Sequence, residues 1–229
     1  MIYNVLIFVG GYGRRLGNLT KKTPKPLLKF NNVPFIEYLL KKLILLNPKK
    51  IIFLSKYKNN LFKKNYHNKK INNTILKCFV EKKKLGTGGS LYHAKRFITN
   101  NTLVCNGDTF FELNFKKLNN INLKNNSLYM FLVKNNNYKK NKKLSNLSIK
   151  KGKIIVNNNS NLMNSGFYII NKLFIKFLNK KIYSLENLIL KKIIEKNLAV
   201  GTFKKNLHID IGTKKNFKYF LKYSKKIKL

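Results

Sequence analysis

Residues Ile2 to Val9 form an almost unbroken apolar run that ends abruptly in Gly10-Gly11-Tyr12-Gly13. A strand apolar on both sides must be covered on both faces, which places it inside a parallel sheet packed between helices. Glycines just past its C-terminal end free the backbone to turn and let amide N–H groups approach an anion with no Cβ in the way. Arg15 and Lys25 add mobile positive charge to this turn. Pro24 and Pro26 stiffen the segment that carries Lys25, so less entropy is lost when phosphate binds. The stretch from Phe8 to Leu28 therefore reads as a site for a nucleoside triphosphate. Two common phosphate loops are excluded. A dinucleotide fingerprint would need glycine at position 16, which is leucine, and a Walker A loop would need Gly-Lys-Ser/Thr closing the turn.

At 229 residues the chain suffices for one α/β domain, residues 1–229, and is short for two. Its 49 Lys plus Arg against 7 Asp plus Glu give a formal charge of +42, a balance that ordinarily indicates nucleic acid or an anionic surface. Here the lysines are spread through every segment alongside Asn, Ile, Phe and Tyr, whereas a binding face would gather them on one helix or stripe. No specific nucleic-acid partner is expected, only nonspecific, salt-sensitive adhesion to RNA. The same bias makes each acid informative: Glu37, Glu81, Asp108, Glu112, Glu186, Glu195 and Asp210. Cys78 and Cys105 fall in predicted strands, which fits buried, reduced thiols and a cytoplasmic location. No run approaches the ~18 to 20 apolar residues of a membrane span, and no basic segment precedes the first apolar run as a signal peptide requires.

Along the chain, Pro34 opens a helix whose Phe35, Ile36, Leu39, Leu40, Leu43 and Ile44 keep helical spacing. Ile51 to Ser55, Ile75 to Val80, Thr102 to Cys105 and Ser127 to Val133 read as strands. Leu147 to Ile149 and Lys153 to Val156 read as a hairpin around Lys151-Gly152. Gly86 to Gly89 open a further helix, so its free N-terminal amides face whatever occupies the loop. Asp108 follows a strand directly, where open α/β sheets place their ligand crevice, although Asn106-Gly107-Asp108 is also common turn chemistry. Lys172 to Leu178 and Leu185 to Ile194 read as amphipathic core helices, the second capped by Ser184, and Thr213 opens a last helix, Lys214 to Tyr223.

Gly11-Tyr12-Gly13-Arg14-Arg15-Leu16 followed by Pro24-Lys25-Pro26 resembles the G-x-G-x-R-L and P-K-P signature of the sugar-1-phosphate nucleotidyltransferases, the nucleoside-diphosphate-sugar pyrophosphorylases. Leu85-Gly86-Thr87-Gly88-Gly89 resembles the branch that includes the mannose-1-phosphate and heptose-1-phosphate guanylyltransferases. Asn106 to Phe111, NGDTFF, is similar to the wording of the heptose enzymes. Asn164-Ser165-Gly166 resembles the family's N-x-G strand, and Ile209 to Thr213 its I-D-I-G-T segment. The likeness runs from Ile2 to about Phe220. It implies a three-layer, Rossmann-like α/β fold of the glycosyltransferase-A type, with a mostly parallel central sheet and an inserted hairpin.

The implied reaction joins a nucleoside triphosphate to a sugar 1-phosphate, giving a nucleotide-sugar and pyrophosphate for cell-surface polysaccharide synthesis. By the resemblance, Gly10, Gly11, Gly13, Gly86, Thr87 and Gly88 cradle the nucleotide, and Arg15 takes the β- and γ-phosphates. Lys25 takes the α-phosphate or the acceptor phosphate. Asn106, Gly107, Asn164 and Gly166 hold the sugar, and Asp108 and Asp210 hold Mg²⁺. Glu81 stands where the base is read, and a carboxylate there accepts hydrogen bonds from guanine N1–H and its exocyclic amine, which favours GTP. D-glycero-D-manno-heptose 1-phosphate is the favoured acceptor. The alternatives are a mannose-, glucose- or amino-sugar-1-phosphate enzyme using GTP, UTP or dTTP, or a non-catalytic nucleotide-sugar-binding protein. The chain departs from the family in three places: Arg14 replaces a small hydroxyl residue, Lys143-Leu144 stands for a Tyr-Gly pair, and Asn157-Asn158-Asn159 stands where a Glu-Lys pair is usual.

Overall fold

The computed structural model describes residues 1–81, 85–135 and 145–227; Lys82 to Lys84 of the second glycine loop and the Lys143-Leu144 departure lie outside them. The strands are β1 (Asn4–Phe8), β2 (Lys29–Phe30), β3 (Val33–Pro34), β4 (Lys50–Ser55), β5 (Lys70–Ile71), β6 (Thr74–Val80) and β7 (Thr102–Asn106) in the first half of the chain. There follow β8 (Thr109–Phe111), β9 (Leu128–Lys134), β10 (Ser145–Lys150), β11 (Lys153–Val156), β12 (Leu162–Ile170), β13 (Ala199–Phe203) and β14 (His208–Asp210). The helices are α1 (Leu19–Lys22), α2 (Phe35–Leu43), α3 (Asn59–Tyr66), α4 (Gly86–His93), α5 (Phe115–Leu118), α6 (Lys191–Glu195) and α7 (Lys214–Ser224).

Ten strands form one sheet in the order β10-β11-β13-β9-β12-β7-β1-β4-β6-β5. β7, β1, β4 and β6 run parallel. β12 is antiparallel to both its neighbours β7 and β9, and β13 is parallel to β9, so most strands keep the direction of β1. The expected hairpin is present as β10 and β11, paired through Lys150 and Lys153 across Lys151-Gly152.

The unbroken apolar run of β1 is explained by its two faces. Val5 and Ile7 enter one core with Ile51, Phe53, Leu103 and residues of α2 and α3. Leu6 enters the opposite core with Ile52, Val104, Leu91 of α4 and Ile193 of α6. Successive strand residues point to opposite faces, so burying both requires apolar side chains at every position. A third cluster lies off the sheet, where Phe220 of α7 meets Phe30, Phe35, Tyr38, Phe110, Ile209 and Ile211. It anchors the short ladder of β8 and β14 to the rest of the protein.

Two predicted helices take different forms. Lys172 to Leu178 closes as a 3₁₀ helix over Lys172–Phe177, started by the Asn171 side chain accepting from the Leu173 amide. Leu185 to Ile194 divides into a π-helical turn, Leu185–Leu190, and α6, with Ser184 capping the first as expected. Apolar spacing reports which face is buried and is too coarse to separate helix pitches that differ by one residue per bond. Among the described residues no helix is long and apolar enough to cross a membrane.

Candidate active site

Register places the first loops together. β1 and β7 pair with Phe8 opposite Asn106, and the Gly107 amide donates to the Phe8 carbonyl at 2.9 Å. The Gly10 to Gly13 turn and the Asn106-Gly107-Asp108 turn therefore leave the same end of the sheet side by side. Lys25 reaches into the space between them, and its Nζ lies 2.5 Å from Asp108 Oδ2. The Lys25 side chain is only 11% exposed, so the ion pair fixes a cation in a largely dry site.

The second aspartate arrives from the other end of the chain. In the β8–β14 ladder Asp210 pairs with Thr109, and the Ile211 amide donates to the Asp108 carbonyl at 3.0 Å. Neighbouring backbones thus carry Asp108 and Asp210. Asp210 Oδ1 accepts the Gly212 amide at 2.7 Å, and Oδ2 lies 3.5 Å from Arg15 Nη2. Gly212 sits among all of them: a Cβ there would stand 2.6 Å from Arg15 Nη2, 2.7 Å from Asp210 Oδ1 and 3.1 Å from Lys25 Nζ, so these side-chain ends would have to shift. Four charged side chains predicted from separate motifs converge on one point, two cations matched to two carboxylates. Among the described residues no three His, Cys, Asp or Glu gather as a metal site. Two carboxylates on neighbouring backbone segments fit Mg²⁺, which takes one or two from protein and completes its shell with water and phosphate oxygens.

Two adjoining cavities open beside this cluster. One of about 450 Å³ is lined by Gly11, Lys25, Asn106, Asp108, Thr87 and Glu186, among others. The other, about 410 Å³, is lined by Gly10, Gly11, Gly13, Glu81, Gly86 and Thr87, with Tyr12, Arg14 and Lys56 at its wall. Gly11, Gly86 and Thr87 border both. A hollow of about 640 Å³ lined by asparagines 100, 101, 119, 120 and 122 has no carboxylate in its lining. The Glu81 carboxylate accepts from the Ser90 hydroxyl of α4. Burial pushes its carboxyl above the usual carboxylate range, against the opposing pull of the Ser90 hydroxyl and the Lys56 charge.

The remaining predicted residues play different parts. Gly107 packs so closely on β1 that a Cβ would lie 2.7 Å from Val9 Cγ1. Asn164 accepts the Gly166 amide at 2.8 Å and donates to the Tyr168 hydroxyl, while Gly166 packs directly on the Asn106 side-chain amide. Gly88 is buried against the ring of Tyr183. Thr87 donates its hydroxyl proton to Glu186 Oε2 at 3.0 Å. Ser184, Glu186 and Asn187 also line the 450 Å³ cavity. Sequence reading placed them in a core helix, and the scarcity of acids was the one signal that pointed to Glu186.

Gly86 sits at φ +69°, and a Cβ there would run into the Tyr183 carbonyl. Gly86→Ala is therefore expected to cost about 1–3 kcal/mol and to raise the KM for nucleotide, read by thermal melts and initial rates.

The pattern of the nucleotidyl transferase family matches residues 4–225, and the chain belongs to that family. It is an enzyme of the sugar-phosphate nucleotidyl-transfer type, a class whose members generally use a divalent metal such as Mg²⁺. It is 27% identical over 223 residues to a D-glycero-alpha-D-manno-heptose 1-phosphate guanylyltransferase of Campylobacter jejuni, covering 94% of this chain and 97% of that one. A protein of the same name from Aneurinibacillus thermoaerophilus is 34% identical over 118 residues, 49% of each chain. Among solved structures, HddC from Yersinia pseudotuberculosis complexed with GMP-PN superposes with a TM-score of 0.77 at 25% identity, covering 97% of this chain and 99% of that one.

Proposed function

We propose that this protein transfers GMP from GTP to D-glycero-α-D-manno-heptose 1-phosphate, releasing pyrophosphate. The observation that carries the guanine reading is the placement of the Glu81 carboxylate in the same 410 Å³ cavity as the Gly10 to Gly13 turn and Gly86. Guanine offers N1–H and an exocyclic amine side by side, and an ionised carboxylate accepts both. The heptose reading is supported by the full-length likeness to the Campylobacter jejuni protein.

An oxygen of the sugar phosphate attacks the α-phosphorus and pyrophosphate leaves, so no protein nucleophile is required. Catalysis is alignment and neutralisation of phosphate charge. Gly10, Gly11, Gly13 and Gly86 line the nucleotide cradle, and Gly88 packs behind it against Tyr183. Arg15, whose side chain is 58% exposed, is free to swing from Asp210 to the leaving pyrophosphate. Lys25 exchanges its contact with Asp108 for a phosphate oxygen, remaining within the same cavity. Asn106 lines the sugar side of the cavity, and Gly107, Asn164 and Gly166 would hold the backbone and Asn106 in place behind it. Asp108 and Asp210 would hold Mg²⁺, which when bound supplies further positive charge against the α-phosphate.

The direct test is pyrophosphate release by nucleic-acid-free protein with Mg²⁺ and D-glycero-α-D-manno-heptose 1-phosphate, comparing GTP, ATP, CTP, UTP and dTTP. Release with GTP alone is expected. Release with another triphosphate overturns the Glu81 argument, and release only with mannose or glucose 1-phosphate overturns the acceptor. Glu81→Gln should cut the preference for GTP by about 10²-fold or more, because one guanine donor then faces an amide. The raised pKa of Glu81 means that the folded protein disfavours its ionised form. Glu81→Gln should therefore keep or slightly raise the melting temperature at pH 7 while losing guanine preference. In the wild type, the KM for GTP should climb as pH falls through that raised pKa, and Glu81→Gln should flatten the climb.

A further inference from the structure

The acceptor side of the site contains a carboxylate that the phosphate chemistry does not use. Glu186 lines the same cavity as Lys25, Asp108 and Asn106, yet the groups that hold it are hydroxyls. Thr87 Oγ1 donates to its Oε2 at 3.0 Å and Ser184 Oγ donates to the same oxygen at 2.8 Å, and neither touches Oε1. The arrangement is built on both sides. Thr87 Oγ1 accepts the Leu185 amide at 2.8 Å. The Gly88 amide donates to the Tyr183 carbonyl at 3.1 Å, and the Tyr183 amide to the Leu85 carbonyl at 3.1 Å. The segment that carries Glu186 is thus strapped to the second glycine loop by at least three bonds. It also contains the π-helical turn Leu185–Leu190, and such turns recur at functional sites. The negative charge of Glu186 reaches Tyr168, whose phenol burial and this charge hold well above its ordinary pKa. Tyr168 in turn receives the Asn164 side-chain amide.

A carboxylate on a cavity wall with one oxygen not taken by these hydroxyls calls for donors from the cavity. The phosphate groups of both substrates offer only negative oxygens and would be repelled, and the donors of the base are matched to Glu81 in the neighbouring cavity. The matching part of the two substrates is the polyol, whose hydroxyls donate readily to a carboxylate. We infer that Glu186 is a specificity-determining residue that accepts a hydrogen bond from a hydroxyl of the acceptor sugar, and that Thr87 positions it. The inference rests on a sugar 1-phosphate being the acceptor and is independent of which sugar and which triphosphate are used. A site built to accept a hydroxyl's hydrogen bond discriminates against the analogue lacking it, since the half-buried acceptor then loses that donor.

Glu186→Gln is the sharpest variant, because the amide oxygen still accepts from Thr87 and Ser184 while an N–H₂ replaces the free acceptor. With whichever triphosphate and sugar 1-phosphate the wild type turns over, the acceptor KM should rise about 10- to 100-fold in Glu186→Gln, with the nucleotide KM within about twofold of wild type. Thr87→Val should reproduce part of that loss and Thr87→Ser should restore it, a rescue that loss of packing alone would not give. Among acceptors lacking one ring hydroxyl each, one should lose the same factor with wild type and lose nothing more with Glu186→Gln. An unchanged acceptor KM, or penalties that multiply for every deoxy acceptor, overturns the assignment whatever the substrate pair. A wild type active only with another triphosphate or another sugar overturns the guanosine and heptose reading and leaves the Glu186 result to be judged on that pair.

Discussion

Asp108→Asn should lower Mg²⁺-dependent pyrophosphate release on the order of 10³-fold, since it removes one of the two negative charges brought together at the end of the sheet. The asparagine oxygen can still accept from Lys25 Nζ, which stands 2.5 Å from the native carboxylate, so the fold should survive with the melting temperature lowered by a few degrees at most. Circular dichroism and a melt establish the fold, and a Mg²⁺ titration of the initial rate establishes the cause. The residual rate should need more Mg²⁺ than the wild type does. Wild-type turnover in this variant would remove the two-aspartate arrangement from the mechanism.

Phe220→Ala should be strongly destabilising. The ring is fully buried, with Phe35 at 4.8 Å, Phe30 at 4.9 Å, and Tyr38 and Phe110 at 5.4 Å between centroids. Truncating such a ring costs about 3–5 kcal/mol, part in lost transfer energy and part in the cavity left behind. The loss should also reach the active site. Ile209 and Ile211 flank Asp210 and pack in the same cluster, and Asn216 of α7 donates to the Asp210 carbonyl at 2.8 Å. Urea unfolding should show the stability loss, and kcat measured well below the new melting temperature should fall while the KM for nucleotide changes little. A cost below about 1 kcal/mol would mean that the cluster closes over the gap, since the spread among such truncations reflects how well a site collapses.

How much of this was legible beforehand differs from element to element. β1, β4, β6, β7 and β9 lie within a residue or two of the apolar runs that announced them, because a strand covered on both faces must be written as continuous apolar sequence. Ser184 and Thr213 cap where expected, since a capping hydroxyl acts on an amide two or three residues away. The glycine turns, Lys25, Asp108 and Asp210 were singled out through the order of their motifs. Glu186 was hidden, because its helical spacing reads as core and its partners Thr87 and Ser184 come from different parts of the chain.

By itself the sequence determined much of the local record: that the long apolar runs are strands, which faces are apolar, where the capped helices begin, and which side chains stand at the ends of those strands. Those features depend on neighbours a few residues away, and their chemistry is set by residue type. Only the tertiary structure decided who meets whom. Lys25 finds Asp108 across 83 residues and Arg15 finds Asp210 across 195. The meetings follow from the parallel pairing of β1 with β7 and from the ladder of β8 with β14. Strand order and register are fixed by the joint burial of all the faces at once, a property that no single segment carries.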